Sequence, residues 1–262
     1  MIDLKKLFND VKVIVKKAGS FLLSECIEIE KHKNANDLLT KNDINTETFI
    51  LKLLKQKYPD VNIISEELNA DSVLKGITVV IDPIDGTCNY ASGLDLFGIQ
   101  VAIFSEKEIV SSVIYLPRKK ELFSAFKGEG CYLNNKLIKI DANKSASDSV
   151  LILSDFYRNQ IVNFDKQYEL VKELHDSFLK TRLFGAACID FTLLVKGNVS
   201  TYICNYSNIW DIAPGLFLVK EAGGVYASLV NDEYNFTEPA LVVSNNIDNL
   251  NLVLNTYKKL WM

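Results

Sequence analysis

The residues best suited to chemistry lie together in one short segment, residues 82–87. It holds Asp82 and Asp85, three positions apart, followed by Gly86 and Thr87, and it comes directly after the apolar run TVVI. Two carboxylates this close at the end of a buried strand repel each other, and a hard cation such as Mg²⁺ relieves that repulsion. A helix that begins at Gly86 and Thr87 would offer backbone N–H groups to a phosphate. A plain strand and turn would also explain the segment, because aspartate is common in turns.

Three further segments carry acidic side chains that could join this site. Glu66 follows the apolar run VNIIS and precedes Asp82 by 16 residues, so two strand ends could bring their carboxylates together. Asp43 comes three residues after Thr40, a spacing that also fits a helix capping box. Asp211 lies at the start of an apolar helical segment. Its role there could be no more than that of an N-cap. Each segment taken alone has an ordinary structural explanation.

Hydrophobic periodicity predicts the elements that must position these residues. Apolar residues at helical spacing predict an amphipathic helix over about the first 25 residues and a second helix over 45–57. The polar segment 31–37 between them is predicted to be a loop. Short β-branched runs then predict strands that are close enough in sequence to pair antiparallel. These runs are VNIIS, ITVVID, GIQVAIF, IVSSVIY and ELFSAF.

Past about residue 140, predicted strands alternate with predicted helices. The strands are VLILS, TYIC and ALVVS, and the helices cover 165–180, 185–196 and 211–222. This alternation predicts an α/β second half. The polar segment 141–149 is the best candidate boundary. We therefore expect an N-terminal α+β half with an antiparallel sheet, residues 1–143, and a C-terminal α/β half, residues 144–262.

Composition limits the kinds of site that the chain can form. The net charge of −4 argues against a nucleic-acid-binding protein, which needs a basic surface. Two histidines and five cysteines with no C-x-x-C pair argue against a zinc site and a Ser-His-Asp triad. Oxygen ligands favour Mg²⁺, Mn²⁺ or Ca²⁺. The odd number of cysteines indicates free thiols in a reducing cytoplasm, and we expect neither a signal peptide nor a membrane span.

Taken in order, these segments resemble the motifs of the inositol monophosphatase family. DLLTKND resembles a D-L-V-T motif with its downstream aspartate, and ISEE resembles a G-E-E motif. DPIDGTCNY resembles D-P-[IL]-D-G-T-x-N, and GAACIDF resembles G-[ST]-A-A. WDIAPGLFLVKEAGG resembles W-D-x-A followed by E-A-G-G, and the resemblance covers roughly residues 1–258. Agreement among several ordered motifs is far more specific than any one of them.

The resemblance implies a metal centre that holds two or three Mg²⁺ ions. Glu66 would bind the first metal, Asp82 would bridge metals, and the carbonyl group of Ile84 would be a main-chain ligand. Asp85 and Asp211 would bind the second metal. It also implies the layered αβαβα sandwich of the inositol monophosphatase and fructose-1,6-bisphosphatase type, a homodimer, and inhibition by Li⁺.

The implied reaction is Mg²⁺-dependent hydrolysis of inositol monophosphate or a related sugar phosphate. Gly86, Thr87 and Asp211 would bind the phosphate or substrate. Asp43 and Thr87 would be catalytic, with Thr87 helping to take a proton from the metal-activated water that attacks phosphorus. The chain would thus be a cytoplasmic phosphomonoesterase with a small phosphorylated substrate, no membrane partner and no nucleic acid.

The sequence departs from the family pattern where the substrate's hydroxyl groups would bind. Members that act on inositol phosphates usually carry an acidic residue seven positions before the W-D aspartate, and this chain has Cys204 there. A thiol is a poor partner for hydroxyl groups, so Asn205, Tyr206 or Ser207 could supply other contacts. We expect both Cys204 and Cys88, which follows the D-G-T triplet, to be small buried residues.

Three other functions stay open at this stage. A related branch hydrolyses 3′-phosphoadenosine 5′-phosphate, although it more often has leucine where this chain has Ile84. Fructose-1,6-bisphosphatase activity is a second alternative, because some relatives accept that substrate. A regulatory protein that binds RNA or a transcription complex is a third, from a different class. The acidic composition and the retained carboxylates argue against this last alternative.

Overall fold

Each half of the chain forms its own β-sheet. The computed structural model describes residues 2–34, 37–155, 164–204, 208–229, 234, 236 and 240–261. Its helices are Leu4–Ser24 (α1), Lys41–Lys57 (α2), Thr87–Ala91 (α3), Phe164–Leu174 (α4), Ala187–Val195 (α5), Ile209–Glu221 (α6) and Ile247–Trp261 (α7). Its first nine strands are Ile29–Asn34 (β1), Asp37–Thr40 (β2), Asn62–Ser65 (β3), Ile77–Asp85 (β4), Gly98–Ser105 (β5), Glu108–Leu116 (β6), Glu121–Phe126 (β7), Gly130–Leu133 (β8) and Lys136–Ile138 (β9). The others are Val150–Leu153 (β10), Lys180–Leu183 (β11), Thr201–Cys204 (β12), Val225–Ser228 (β13) and Leu241–Ser244 (β14).

The first sheet has the strand order β3-β4-β5-β6-β7-β8-β9. Strands β3 and β4 are parallel, and all other neighbours in this sheet are antiparallel. Helices α1 and α2 pack together on one face, where Val15, Ile50 and Ile81 belong to a single apolar cluster. Because β3 and β4 are parallel neighbours, Ser65 and Ile81 lie side by side, and both chains then leave the sheet at the same edge.

The second sheet has the order β11-β10-β12-β14-β13. Strands β11, β10 and β12 are parallel, whereas β14 runs antiparallel to both β12 and β13. Helices α4 and α7 pack on one face, with Leu170, Leu174 and Val253 in one apolar cluster. Helices α5 and α6 pack against the other face, where Phe191 meets Tyr202 edge-on.

Helices α5 and α6 are shared by the two sheets and complete the fold. Phe191 and Leu216 belong to one buried cluster with Phe123 of the first sheet and Tyr202 of the second. The layers are therefore helix, sheet, helix, sheet and helix, which is the predicted αβαβα sandwich. Among the described residues, no helix combines the length and apolar character needed to cross a bilayer.

Several boundaries differ from the predictions for physical reasons. The polar segment 31–37 was predicted to be a loop, but β1 reaches Asn34 and pairs antiparallel with β2. Helix α2 begins at Lys41 rather than near residue 45, because Thr40 and Asp43 form a capping box. Helix α4 ends at Leu174, six residues before the predicted end; a 3₁₀ helix, His175–Ser177, follows it, and the edge strand β11 begins at Lys180.

Candidate active site

A bulge in β4 brings Asp82 and Asp85 to the same edge of the first sheet. Asp82 pairs with Gln100 and Asp85 with Gly98, so two residues of β4 lie opposite one residue of β5, and β4 has one extra residue. Such a bulge bends the strand and redirects its side chains. The N–H group of Ile84 donates to Oδ1 of Asp82 at 3.0 Å, which fixes the bulge. Both aspartates therefore lie within the bulged strand rather than in a turn after it, so the plain strand-and-turn explanation is wrong, and the bulge holds them close together.

Asp211 reaches the same place from the second half of the chain. It lies in the first turn of α6, but the N-cap of this helix is Asn208. The alternative in which Asp211 is only an N-cap is therefore wrong. Carboxylate oxygens of Asp82, Asp85 and Asp211 lie within 4.8 Å of one another.

This aspartate cluster, Asp82, Asp85 and Asp211, is electrostatically unfavourable without a cation. Burial and the nearby Glu66 raise the pKa of Asp82 and of Asp211 well above the usual range. Burial also raises the pKa of Asp85 to about 6, although hydrogen bonds from Cys188 and Ala187 oppose the rise. Among the residues that the structure describes, no lysine, arginine or histidine forms an ion pair with these three aspartates.

The donor set of the aspartate cluster fits a hard divalent cation. Its donors are carboxylate oxygens, and Asp82 and Asp85 are only 1% and 8% exposed. Buried carboxylates that lack a basic partner gain the most from a bound cation. Oxygen donors without histidine or thiolate favour Mg²⁺, Mn²⁺ or Ca²⁺ over zinc or copper.

Asp85 also joins the first sheet to helix α5. Its carboxylate accepts hydrogen bonds from the N–H groups of Ala187 at 3.2 Å and Cys188 at 2.5 Å, in the first turn of α5. An anion is favourable there because the N-terminus of a helix carries a partial positive charge. The adjacent Gly86 has a φ of +86°, and a Cβ atom would lie 2.8 Å from both Cβ of Ala186 and the carbonyl oxygen of Leu96. Only glycine fits at this crossing, the point where the backbone at residue 86 passes close to Ala186 and Leu96.

Thr87 and Asp43 are in direct contact across the site. The hydroxyl group of Thr87 lies 3.0 Å from Oδ1 of Asp43 and 2.9 Å from the carbonyl oxygen of Ile84, so its single proton has two acceptors. Oδ2 of Asp43 accepts from the N–H and hydroxyl groups of Thr40 at 2.8 and 2.5 Å. Asp43 is thus both the capping-box residue and the partner of Thr87. Burial raises its pKa to about 6.

Glu66 lies at the carboxyl end of β3, beside the aspartate cluster. Its N–H group donates to the carbonyl oxygen of Ile81 at 3.2 Å, and its charge raises the pKa of Asp82, Asp211 and Asp43. The structure therefore brings all the predicted acidic residues to one place.

Glu47 holds the turn that contains Glu66, and it is not among the site residues predicted from the sequence. This fully buried carboxylate accepts from the hydroxyl of Ser65 at 2.5 Å and from the N–H groups of Glu67 and Leu68 at 2.9 and 3.0 Å. One signal was present in the sequence. Glu47 lies four residues after Asp43 on the same helix, and this spacing places both carboxylates on one face.

The cysteines gave a mixed outcome. None of the five forms a disulfide bond, as predicted, and Cys204 is buried at the end of β12. Cys88 is exposed, so the prediction that it is buried was wrong; it is in the short, half-exposed helix α3. The predicted alternative contacts Asn205, Tyr206 and Ser207 lie outside the described residues.

Comparison with known proteins decides which family has this arrangement. The family model described as the inositol monophosphatase family matches residues 3–261. The chain belongs to this family. It is 33% identical to an inositol monophosphatase of Dictyostelium discoideum over 86% of this chain and 85% of that protein. It is 31% identical to Nus factor SuhB of Pasteurella multocida over 81% and 79% of the two chains.

Solved structures agree with the family assignment. The chain superposes on the Thermotoga maritima IMPase with a TM-score of 0.84 and 25% identity, over 96% of each chain. Membership in this metal-dependent family, together with the buried acidic cluster, supports a phosphatase function.

Proposed function

We propose that this chain is a Mg²⁺-dependent phosphomonoesterase that hydrolyses inositol monophosphate or a related sugar phosphate. The observation that carries the proposal is the aspartate cluster, in which three carboxylates from two halves of the chain lie within 4.8 Å of one another. Membership in the inositol monophosphatase family and the contact of Thr87 with Asp43 support it.

Asp82, Asp85, Asp211, Glu66 and the carbonyl group of Ile84 would hold two or three Mg²⁺ ions. Bound Mg²⁺ would make a coordinated water more acidic and would neutralise charge on the phosphate. The protein's own contribution is to hold these oxygens in place. The bulge in β4, the N-terminus of α5 and the buried Glu47 do so from three sides.

The phosphate would bind at the start of α3. This helix begins at Thr87 with Gly86 as its N-cap, and the first N–H groups of a helix have no partner within it. Asp211, in the first turn of α6, would contact the substrate as well. The small, tightly packed Gly86 lets the backbone come close to the phosphate.

Thr87 and Asp43 would move the proton. Oγ1 of Thr87 would take a proton from the attacking water while its own proton passes to Oδ1 of Asp43, 3.0 Å away. Because burial raises the pKa of Asp43 to about 6, this carboxylate can accept a proton near neutral pH. Positioning and charge neutralisation account for most of the catalysis in phosphoryl transfer.

A phosphate-release assay tests the proposal. The EDTA-treated protein would be given inositol 1-phosphate, fructose 1,6-bisphosphate, 3′-phosphoadenosine 5′-phosphate or p-nitrophenyl phosphate, with and without added Mg²⁺. We expect release to require Mg²⁺ and to be fastest with inositol 1-phosphate or another sugar monophosphate. Full turnover in the metal-free protein would refute the metal-dependent reaction. Preference for 3′-phosphoadenosine 5′-phosphate or fructose 1,6-bisphosphate would replace the proposed substrate class.

A second candidate function is a regulatory role in a transcription complex. The 31% identity to a protein named Nus factor SuhB favours it. The net charge of −4 argues against direct binding to RNA, which depends on basic side chains. Binding of a structured RNA to the Asp82→Asn variant, measured at two salt concentrations, would support this role. We further propose a cytoplasmic homodimer, which sedimentation of the purified protein would test.

A further inference from the structure

Asp155 and Gly185 lie next to each other just beyond the ends of two parallel strands. Leu153 of β10 is in register with Leu183 of β11 and with Ile203 of β12. Asp155 and Gly185 each follow their register residue by two positions. The parallel pairing therefore places both at the carboxyl edge of the second sheet, at the same height.

The side chains of Asp155 and Asn89 both lie beside the α-carbon of Gly185. A Cβ atom on Gly185 would lie 3.4 Å from Oδ2 of Asp155, 3.6 Å from Nδ2 of Asn89 and 3.7 Å from Oδ1 of Asn89. Nδ2 of Asn89 donates to the carbonyl oxygens of Phe184 at 2.6 Å and Leu96 at 2.9 Å, which fixes the side-chain amide. Because Gly185 has no side chain, no Cβ atom stands between Asp155 and Asn89.

Gly185 and Asp155 are adjacent to the candidate active site. Ala187, two residues after Gly185, donates its N–H to Asp85 at 3.2 Å. Burial raises the pKa of Asp85, and the charge of Asp155 adds to this rise.

The topology of the second sheet makes this edge a natural binding position. After β10 the chain continues to α4, which packs with α7, whereas after β12 it continues to α6, which packs with α5. Adjacent parallel strands whose connections leave to opposite faces open a crevice at their carboxyl ends, where ligands of α/β proteins bind. At the end of β12, Cys204 is buried and offers only a thiol. Among the described residues at the ends of β10 and β12, Asp155 is the one that supplies a carboxylate.

Asp155 has unused hydrogen-bonding capacity. It is half-buried, and burial raises its pKa, yet within the described part of the chain it accepts no hydrogen bond and pairs with no basic side chain. A carboxylate that has lost part of its hydration gains from any hydroxyl group that donates to it.

We propose that Asp155, together with Oδ1 of Asn89, binds hydroxyl groups on the alcohol part of the substrate and so selects sugar or polyol phosphates. The inference rests on the proposed function and names the residue that sets its substrate class. Both side chains are acceptors, and the hydroxyl groups of a polyol are the matching donors. Asp155 would therefore determine specificity without taking part in the cleavage of the phosphate ester.

Kinetics on two substrates with Mg²⁺ test this inference. Inositol 1-phosphate has hydroxyl groups on its leaving alcohol, whereas the leaving group of p-nitrophenyl phosphate has no aliphatic hydroxyl. For Asp155→Ala we expect the ratio of kcat/KM for inositol 1-phosphate to that for p-nitrophenyl phosphate to fall by about 10- to 100-fold, as for loss of a hydrogen bond to a charged group. Asp155→Asn keeps the shape of the side chain and one acceptor oxygen, so the ratio should fall less.

The matched control is Asp60→Asn. Asp60 is exposed in the turn before β3, at the opposite end of that strand from Glu66. The ratio of the two kcat/KM values in Asp60→Asn should therefore equal that of the wild type. An equal loss on both substrates in Asp155→Ala and Asp155→Asn, or no loss, would overturn the inference and leave the proposed function intact. Hydrolysis of p-nitrophenyl phosphate but of no sugar or polyol phosphate by the wild type would also overturn it. Mg²⁺-dependent hydrolysis of neither substrate would refute the proposed function, and this inference with it.

Discussion

The hydroxyl group of Thr87 lies 3.0 Å from Oδ1 of Asp43, although 44 positions separate the two residues in the chain. Thr87 begins α3 and Asp43 lies in the first turn of α2, as part of its capping box, so this contact joins the N-terminal ends of two helices. Asp43 is held in turn by two hydrogen bonds from Thr40. The geometry fixes one carboxylate oxygen for the cap and leaves the other for Thr87.

Loss of the Thr87 hydroxyl should reduce turnover and leave substrate binding nearly intact. Thr87→Ala removes Oγ1 but keeps the N–H group that would contact phosphate. We expect kcat to fall by about 10²–10⁴-fold, the usual value of general acid–base assistance. Asp43→Asn should cause a similar loss, because an amide cannot accept the proton. The double variant should be little worse than either single one, since groups that act together are not additive.

Two controls accompany these variants. Thr256→Ala removes a threonine hydroxyl that only bonds Leu252 within α7, and its kcat should equal that of the wild type. Asp43→Asn also alters the capping box, which is worth about 1 kcal/mol, so its melting temperature must be measured beside its activity. Losses that multiply in the double variant would show that Asp43 acts independently of Thr87.

Removing one carboxylate of the aspartate cluster should abolish the response of the protein's stability to Mg²⁺. A cation that binds only the folded state raises the melting temperature by mass action. We expect Mg²⁺ to raise the melting temperature of the wild type and to have little effect on Asp211→Asn. Asn208, the N-cap of α6, is unchanged in this variant, so the helix should stay intact. An equal Mg²⁺ response in both proteins would show that Asp211 is not a ligand.

The stability of the metal-free protein should decrease as the pH rises from about 4 to about 7. Burial raises the pKa of Asp43 and of Asp85 from 3.8 to about 6, so the folded state binds more protons than the unfolded state in this range. Under that condition the free energy of unfolding falls with increasing pH. Melting temperatures in EDTA at about pH 5 and pH 7.5 check this. In Asp85→Asn the melting temperature should fall less between these two pH values. A fall equal to that of the wild type would contradict the raised pKa of Asp85.

Much of the candidate site could be predicted because its signals are local in sequence. Asp82, Asp85 and Gly86 lie within five residues, and one bulge and one tight turn explain their spacing. Asp155 gave no such signal, because its position depends on the register of β10 with β11. The edge strand β11, KTRL, was missed since it lacks apolar alternation and half of its residues are charged.

Gly86→Ala should destabilise the fold far more than alanine at another glycine with a similar positive φ. A Cβ atom on Gly86 would lie 2.8 Å from Ala186 and from the carbonyl oxygen of Leu96, and its φ is +86°. Gly93 has a φ of +77° but nothing within 4 Å of its Cβ position. We expect Gly93→Ala to cost about 1 kcal/mol and Gly86→Ala to cost more than about twice that. Urea unfolding measures both, and equal costs would mean that the crossing is not tight.

Glu47 should control metal affinity without touching the metal. Its carboxylate accepts three hydrogen bonds, from Ser65, Glu67 and Leu68, and these hold the turn on which Glu66 lies. Glu47→Gln keeps the volume of the side chain but replaces one acceptor oxygen with an NH₂ donor, which faces at least one N–H or O–H group. We expect the Mg²⁺ concentration for half-maximal activity to rise by about 10-fold or more, as for other residues that support metal ligands. Saturating Mg²⁺ should restore most of kcat, because the ligands themselves are unchanged.

Glu173→Gln, on α4, is the control and should leave both the half-maximal Mg²⁺ concentration and kcat unaltered. If Glu47→Gln instead lowers kcat at every Mg²⁺ concentration and leaves the half-maximal concentration unchanged, then Glu47 does not act through Glu66.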